Sequence, residues 1–374
     1  MKSNYKPIGE LVERIDERNK DGSITTLIGV SIDKRFIPSV ANVIGTDLTN
    51  YKVIRKYDFA VSLMQVSRDE KIPVACQKDY DAAIMSPAYP IFRVKDKNVI
   101  LPEYLEMWFM RSEFDREASF VAVGGVRGSM PWEEFAKLKL PVPDIVTQEK
   151  IVSSYRTITD RIALKKQIND NLEATAQAYF DNLFFGSGET NCTLADIAEV
   201  NPTRPLRKGE KARCFDMATL PTKGCIPSGD EIKPYNGGVR FTNGDTLIAR
   251  ITPCLENGKA AYINLLKEGE VAFGSTEYIV FASKDAVPSS FYYFLIRNSQ
   301  FVTFALQFMN GSSGRQRVSG EELASFPLIK PSTDSLKAFD KVGAMVLEQM
   351  KENTLEIQEL KQLQEIITAT LSSR

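Results

Sequence analysis

Two loops rich in glycine and serine carry the side chains best suited to binding a nucleic acid. The first loop is Val123–Ser129, with Arg127 and Ser129 as candidate DNA contacts. In the second loop the candidates are Ser312, Ser313, Arg315, Gln316 and Arg317. Glycine and serine let a loop backbone approach a phosphate, and arginine and glutamine pair with the edges of guanine and adenine. The loops therefore indicate DNA contact, although a polar hairpin with surface charge has the same composition.

A third cationic segment, Arg204–Arg213, is a further candidate for contact with a polyanion. Glu210 is its only carboxylate. We select Arg204, Arg207 and Lys208 from it as candidate DNA contacts, together with Arg250 after an apolar run. Because the net charge of the chain is −1, any polyanion surface must be local. A solvated charged loop is the alternative.

The sequence offers little for catalysis. It contains no histidine, which excludes His-based acid–base catalysis, Ser–His triads and most zinc sites. Ala260 follows Gly258-Lys259 where a phosphate-binding loop needs Ser or Thr. The segment 86–89, Ser-Pro-Ala-Tyr, is similar to a tetrapeptide of amino-methyltransferases, but it lacks the second proline and fits an ordinary turn. We therefore predict a protein that is not an enzyme and binds no metal.

The composition is that of an ordinary globular protein, with 43% hydrophobic and 25% charged residues. The N-terminus is too polar for a signal peptide, and no apolar run approaches the length of a membrane span. We expect a cytoplasmic protein without membrane contact. The five cysteines have no C-x-x-C spacing, and we expect them to be free thiols.

The central segment Thr147–Phe185 has the periodicity of a long helix, and no proline or glycine interrupts it. Its apolar positions recur at alternating steps of four and three, as on a helix face that another helix covers. We predict that Thr147 caps the helix N-terminus. The predicted face comprises Ile151, Tyr155, Ile158, Ile162, Lys165, Asn169, Leu172, Ala176, Tyr179 and Leu183.

The segment Leu336–Leu371 is the predicted partner of this helix. Its face comprises Leu336, Phe339, Gly343, Val346, Met350, Asn353, Ile357, Leu360, Gln364, Ile367 and Leu371. A shift of 188 residues takes Ile158 to Val346 and Leu172 to Leu360. The same shift relates the short helices and the proline-rich exits that precede the two segments. The chain is therefore predicted to contain two copies of a globular domain followed by a helix.

Several polar residues occupy the predicted helix faces. Lys165 and Asn169 lie in the first face, and Asn353 and Gln364 lie in the second. Polar residues between paired helices fix register and partner choice at a cost in stability. The other interpretation is that these positions are simply more exposed to solvent.

The globular segments mix short strands with helices. Apolar runs predict strands around Thr26–Val30 and Val53–Ile54 and a single strand over Ala82–Val94. Continuous helical patterns predict one helix over Pro102–Phe120 and another over Pro288–Phe308. The predicted class is α+β.

At this point the chain resembles the specificity (S) subunits of type I restriction–modification systems. The resemblance rests on the arrangement of two globular regions, each followed by a long helix, and on four local matches. These are Leu140–Pro143 with Gln148, Lys150 and Ile151, then Ala178–Phe184, Gly244–Arg250 and Gly314–Val318. The chain departs from the pattern because no glutamine opens the second helix and the first loop lacks a second arginine.

The resemblance implies an architecture of two target recognition domains, residues 1–146 and 187–331. Each would recognise one half of a bipartite double-stranded DNA target. The helical segments, residues 147–186 and 332–374, would pair as an antiparallel coiled coil, set the spacing and dock two methyltransferase (M) subunits. The helix-pairing residues selected are Ile151, Ile158, Ile162, Leu172, Val346, Met350, Ile357 and Leu360.

The resemblance further implies partners that carry the chemistry. The M subunits would methylate adenine with S-adenosylmethionine, and restriction (R) subunits would use ATP and magnesium, while this chain binds no cofactor. The alternative function is a scaffold whose duplicated domains bind proteins rather than DNA.

Overall fold

The computed structural model describes residues 4–39, 46–64, 66–122, 128–186, 188–311 and 314–371. The chain divides into two compact units. Unit 1 consists of Met1–Arg161 with Leu360–Arg374, and unit 2 consists of Ile162–Glu359. Each of the two long helices therefore contributes to both units.

Unit 1 contains a four-stranded antiparallel sheet with helices packed on it. Its elements are β1 (Tyr5–Pro7), α1 (Ile8–Leu11), β2 (Val12–Ile15), β3 (Ile28–Val30), β4 (Phe36–Pro38), β5 (Lys52–Arg55), β6 (Phe59–Val61), α2 (Val66–Asp69), β7 (Val74–Cys76), β8 (Ala82–Met85), β9 (Ile91–Val94), α3 (Pro102–Phe109), α4 (Ser112–Val121), α5 (Trp132–Lys137), β10 (Lys139–Pro141) and the first part of α6 (Ile145–Phe184). The main sheet has the strand order β2-β9-β6-β7, and β1 pairs with β10, β3 with β4 and β5 with β8.

Unit 2 repeats this plan with a second four-stranded sheet added. After α6 follow β11 (Cys192–Thr193), α7 (Leu194–Ile197), β12 (Ala198–Val200), β13 (Lys211–Phe215), β14 (Glu231–Pro234), β15 (Val239–Phe241), β16 (Thr246–Ala249), β17 (Ala260–Tyr262), β18 (Ala272–Gly274), β19 (Tyr278–Ser283), α8 (Ser290–Arg297), α9 (Ser299–Gln307), α10 (Gly320–Ala324), β20 (Pro327–Leu328) and α11 (Thr333–Thr370). The sheets have the orders β12-β19-β16-β17 and β14-β13-β18-β15.

The duplication predicted from the sequence is confirmed by the order of the main sheets. Strand for strand, β2-β9-β6-β7 corresponds to β12-β19-β16-β17. Pro102 opens α3 and Ser290 opens α8, and the same shift of 188 relates Ile145 at the start of α6 to Thr333 at the start of α11. The units therefore share a topology and differ in the segment that follows β2 and β12.

In unit 1, the end of α11 packs on the beginning of α6. Leu371 is buried in the same apolar cluster as Val152, and Ile151, Tyr155 and Ile367 pack against that cluster. Gln364 Nε2 donates to Thr159 Oγ1 at 2.7 Å. The helices run antiparallel here, because residues that come later in α6 meet residues that come earlier in α11.

In unit 2, aromatic side chains join both long helices to the globular core. Phe180 and Phe184 of α6 contact Phe339 of α11 and Phe291 of α8, with ring centroids 5.0 to 5.8 Å apart. Rings at this separation pack as closely as aromatic pairs in protein cores do. The packing of two long helices predicted from the sequence is thus confirmed, and both helices are anchored in the core.

The polar residues of the helix faces form a hydrogen-bonded cluster in unit 2. Asn353 is 1% exposed, accepts from Lys165 Nζ at 2.8 Å and donates to Asn169 Oδ1 at 2.8 Å. Lys165 also pairs with Glu356 at 2.8 Å. Lys165 and Asn353 are equivalent positions of the repeat, 188 residues apart. Burial of Asn353 excludes the interpretation that this position is simply exposed.

The long helices begin earlier than the sequence pattern indicates. The expectation that α6 begins at Thr147, with that residue as its cap, was wrong, because Ile145 begins the helix and Asp144 accepts from the backbone N–H of Thr147 at 2.9 Å. The Thr147 hydroxyl also donates to Asp144 Oδ2 at 2.7 Å, and this bond and the backbone bond hold the pKa of Asp144 below its ordinary value. The second helix begins at Thr333 rather than Leu336.

Three elements that were predicted as continuous are interrupted. The strand expected over Ala82–Val94 is two strands, β8 and β9, because Tyr89 N donates to Ser86 O and closes a turn between them. The helix expected over Pro102–Phe120 breaks at Arg111, whose backbone is extended and whose guanidinium lies 4.2 Å from the Trp108 ring centroid.

The helix expected over Pro288–Phe308 breaks at Asn298. The Asn298 side chain accepts hydrogen bonds from the N–H groups of Gln300 and Phe301 and so caps α9. All five cysteines are free thiols. No helix in the described part of the chain is both long and apolar enough to cross a membrane.

Candidate nucleic-acid interface

The second candidate loop is held at its base by backbone hydrogen bonds. Asn310 and Arg317 exchange N–H to O hydrogen bonds of 3.0 and 2.9 Å, so the loop is a closed hairpin. Thr252 N donates to Gln316 O at 3.0 Å, and Gln316 N donates to Thr252 Oγ1 at 3.1 Å. Val318 N donates to Arg250 O at 3.0 Å. The loop is therefore fixed to the segment that leaves the end of β16.

The side chain of Arg317 is held by an acidic partner. Its Nε and NH2 atoms donate to both carboxylate oxygens of Glu277 at 2.7 to 3.0 Å. These hydrogen bonds, with the charge of Arg250 as a smaller cause, hold the pKa of Glu277 below its ordinary value. Arg317 NH1 also donates to the carbonyl of Arg315 at 3.1 Å. Arg317 thus fixes the shape of the loop.

Arg315 has the opposite environment. It lies at the exposed tip of the loop, and its side chain has no hydrogen-bond or ion-pair partner within the described ranges. Gly311 and Gly314 have φ values of 131° and 79°, and a Cβ at Gly311 would lie 3.1 Å from Arg315 O. Glycine is therefore required where the backbone turns. The loop presents Arg315 to solvent on a fixed base.

Arg250 lies beneath the loop, at the end of β16. Its Nε atom is buried, without a hydrogen-bond partner in the described part of the chain. Gln316 is half-buried because its backbone is fastened to Thr252. The structure thus brings together Arg250, Arg315, Gln316 and Arg317. Ser312 and Ser313 lie outside the described residues.

The cations of the third segment lie at the other end of β16. Arg204 pairs with Asp245, which directly precedes the strand, through NH2 to Oδ1 at 2.7 Å. Burial raises the pKa of Asp245, while the Arg204 hydrogen bond acts in the opposite sense. Arg204 therefore serves to neutralise a buried carboxylate. Arg207 and Lys208 are exposed next to it.

The first candidate loop is anchored like the second. Met130 N donates to Leu63 O at 2.9 Å, as Val318 does to Arg250 in the other copy. Ser129 is half-buried, and Gly128 has a φ of 75°, with Ser67 Oγ where a Cβ would be. Arg127 lies outside the described residues.

The sequence analysis missed three residues that shape these sites. Glu277 and Thr252 fix the second loop, and Asp245 holds Arg204. Only Asp245 had a sequence cue, because a shift of 187 residues, one less than the shift that relates the long helices, takes Asp58 to Asp245. Asp58 is likewise buried and accepts two hydrogen bonds from Arg93, at 2.9 and 3.0 Å.

The residues predicted to pair the two long helices differ in how deeply they are buried. Ile162, Val346, Met350, Ile357 and Leu360 are buried. Ile151, Ile158 and Leu172 are half-buried. Among the described residues, no group of three or more Cys, Asp or Glu side chains is placed to hold a metal ion.

Comparison with known proteins finds similarity over the second half of the chain. A family model described as the type I restriction modification DNA specificity domain matches residues 187–368. A segment of 190 residues is 29% identical to the Escherichia coli type I restriction enzyme EcoEI specificity subunit, covering 48% of this chain and 32% of the relative. A segment of 132 residues is 34% identical to the EcoAI specificity subunit of the same organism, covering 34% and 22%. The matches thus span a third or less of these relatives.

A solved structure supports the fold over the whole chain. The type I restriction-modification system S subunit from M. genitalium superposes with a TM-score of 0.60 at 12% identity, and the alignment covers 98% of this chain and 95% of that one. The solved structure thus agrees with the fold expected from the sequence, and the family model and the two relatives agree with the resemblance over part of the chain.

Proposed function

We propose that this chain is the DNA-recognition subunit of a type I restriction–modification complex, because residues 187–368 match the family model of the type I restriction modification DNA specificity domain. Each globular domain recognises one half of a bipartite double-stranded target. The chain itself catalyses no reaction and binds no cofactor. It acts in the cytoplasm.

The observation that carries the proposal is the second loop. Its base is fixed by Thr252, Glu277 and the hairpin closure, while Arg315 at its tip is exposed. Arginine donates two hydrogen bonds to guanine O6 and N7 in the major groove, and a rigid base lowers the entropy lost on binding. Arg315 is therefore the first candidate for base recognition, and Arg317 positions it.

The remaining candidate residues have different roles in this proposal. Arg207 and Lys208 are exposed and suit phosphate contact, which determines affinity rather than sequence preference. Arg204 and Arg250 act through the surfaces they stabilise. The two loops also contain the other candidate contacts, which are Arg127, Ser129, Ser312 and Ser313.

The long helices are proposed to set half-site spacing and to dock two methyltransferase subunits. Exposed apolar pairs on the helices support docking. In unit 2, Leu164 and Ile168 are one turn apart on α6, and in unit 1, Leu363 and Ile366 are one turn apart on α11. Apolar side chains clustered on an exposed helix face mark protein contacts. The methyltransferase subunits would use S-adenosylmethionine, and restriction subunits would use ATP and magnesium.

Selection of bound sequences from a random duplex pool tests the proposal. We expect the chain, purified with its co-expressed partner, to enrich two short motifs separated by a fixed gap. A single continuous motif would contradict bipartite recognition. A protein-binding scaffold, the alternative function, predicts no enrichment over the starting pool.

A further inference from the structure

Unit 1 contains a cationic cleft that belongs to neither of the two candidate loops. It has a volume of about 310 Å³ and lies where β5 turns into β6. Its lining includes Arg55, Lys56, Tyr57, Arg93 and Lys97. The first candidate loop is fastened instead to Leu63, past the other end of β6. The cleft and the loop are therefore separate features of the unit.

The charges of the cleft leave a surplus of cations. Arg93 is neutralised by the buried carboxylate of Asp58, and Arg55 is paired with Glu17. No ion pair of Lys56 or Lys97 is found within the residues that the structure describes, and both side chains are exposed. The Lys97 ammonium lies 5.1 Å from the centroid of the Tyr57 ring. Two lysines therefore face one small cleft without a carboxylate of their own.

Tyr57, which lines the cleft, has a strained backbone conformation. Its φ is 69°, in the left-handed region that a bulky side chain rarely adopts. The other copy of the repeat has Gly244 in this place, with a φ of 88°. The turns are otherwise alike, since Asp58 accepts from Arg55 N and Asp245 accepts from Thr242 N, each at 2.9 Å. Strain of this kind persists where the surroundings enforce it, commonly at binding sites.

The corresponding end of the sheet in unit 2 is also cationic. There Arg204 pairs with Asp245, and Arg207 and Lys208 are exposed nearby in sequence. The two copies supply these cations from different elements, because Arg93 belongs to β9 and Arg204 to the segment between β12 and β13. An arginine paired with a buried aspartate thus lies at the same end of both sheets, although the two arginines are not equivalent in the repeat.

We propose that the cleft around Tyr57 binds a phosphodiester group of the DNA backbone, with Lys56 and Lys97 as its charged contacts. A phosphate fits a cleft of this size and accepts hydrogen bonds from both ammonium groups. The proposal rests on the proposed function, because it assigns part of the DNA contact to a surface other than the loops. The proposal predicts that this site contributes to DNA affinity independently of the base sequence.

A salt titration of duplex binding tests the assignment. The full chain with its co-expressed partner is titrated with a random duplex between about 50 and 200 mM salt, and log Kd is plotted against log salt concentration. Each phosphate contact contributes about 0.9 to the slope, so K56A/K97A, which removes the charged contacts to one phosphate, should lower its magnitude by about 0.9. The loss in affinity caused by the substitutions should then be about three- to fourfold larger at the low-salt end.

Two control variants make the result specific. K56R/K97R keeps both charges and should retain the slope of the unsubstituted protein. K223A/K267A removes two exposed lysines of unit 2 and should also leave the slope unchanged. Thermal unfolding of each variant checks that it is folded.

An unchanged slope for K56A/K97A, with normal binding by the unsubstituted protein, overturns the phosphate site alone. The same holds if the substitutions release the partner subunit instead, because the cleft then binds protein. Failure of the unsubstituted protein to bind any duplex overturns the proposed function and, with it, this inference.

Discussion

Arg315 and Arg317 lie two residues apart and have different surroundings. Both oxygens of Glu277 hold Arg317, whereas the Arg315 side chain is exposed at the tip of a hairpin. Arginine side chains lose much conformational freedom when they are ordered. In this site the backbone next to Arg315 is held by hydrogen bonds to Arg317 and Thr252, so that mainly the Arg315 side chain remains to be ordered on binding.

Replacement of Arg315 by alanine should weaken specific DNA binding and leave the fold unchanged. Loss of one bidentate base contact costs about 1–3 kcal/mol, roughly a 5- to 150-fold rise in Kd for the cognate duplex. Competition between cognate and scrambled duplexes measures the effect. K267A, which removes an exposed cation elsewhere in unit 2, is the control. Equal losses on both duplexes would assign Arg315 to the phosphate backbone instead.

Replacement of Glu277 by glutamine should remove a pH-dependent contribution to the stability of unit 2. Arg317 lowers the folded-state pKa of Glu277 from its ordinary value of 4.5, so the folded state favours the carboxylate. The stability that results is present above pH 4.5 and is lost as pH falls through the lowered pKa. Because both side chains are partly exposed, the effect should be small.

Urea unfolding of the two proteins, in steps from about pH 7 to pH 3, measures this contribution. The difference in unfolding free energy should narrow as the pH falls. E321Q, at an exposed position of α10, should behave like the unsubstituted protein. A difference independent of pH would show that the charge of Glu277 is not responsible.

Residue types and spacing were sufficient to find the second loop, but they could not distinguish Arg315 from Arg317. The distinction depends on Glu277, which lies 40 residues away and reaches the loop only in the folded chain. The same limit applies to Arg204, whose surplus charge in the sequence is neutralised by Asp245, 41 residues later. The sequence shows where cations are concentrated, whereas the tertiary structure determines which carboxylates pair with them.

At the scale of elements, a buried glutamine fixes the entry of α6. Gln148 is fully buried and accepts from Leu101 N at 2.9 Å. Its Nε2 atom donates to Val99 O at 2.9 Å and Pro143 O at 2.8 Å. These bonds tie the helix start to the segment before α3. In the second copy of the repeat Leu336 takes this place, and it is buried among apolar side chains.

Replacement of Gln148 by leucine should destabilise unit 1, although leucine suits the equivalent place in unit 2. Three backbone groups would lose their partners in a buried site, and an unsatisfied buried group costs about 1–3 kcal/mol. Chemical denaturation measures the loss of unfolding free energy. Q167L, at an exposed position of the same helix, should change it by less than about 0.5 kcal/mol. Equal effects of the two substitutions would contradict a specific role for Gln148.

Periodicity predicted the long helices and their buried faces because a repeat sustained over many turns has few other interpretations. It failed at Arg111 and Asn298, where apolar residues continue in helical spacing through a break. Asn298 breaks the helix by capping the next one, and its side chain also donates to Asp181 of α6 at 2.8 Å. Packing against another element decided the local conformation in this case.

At the scale of the whole molecule, the C-terminal residues belong to the N-terminal unit. Unit 1 includes Leu360–Arg374, and Leu371 is buried there next to Val152. Unit 2 is one continuous segment, Ile162–Glu359. Unit 1 is therefore complete only after residues 360–374 have folded back onto it. Unit 2, in contrast, needs no residue beyond Glu359.

Replacement of Leu371 by alanine should destabilise unit 1 selectively. Truncation of a buried leucine costs about 2–5 kcal/mol. Hydrogen–deuterium exchange should show faster exchange in β6, β9 and α3 and unchanged protection in β16, β19 and α8. L363A, at an exposed position of α11, should leave both units unchanged. Equal loss of protection in both units would show that they unfold together.

The central claim is that this chain selects a bipartite DNA target for adenine methylation by its partners. The most direct test is sequencing of methylated adenine in the genome of the source cell, before and after deletion of the chain and after its restoration. The account predicts one methylated motif, split by a fixed gap, that disappears on deletion and returns on restoration. An unchanged methylation pattern, or loss of a continuous motif only, would contradict it.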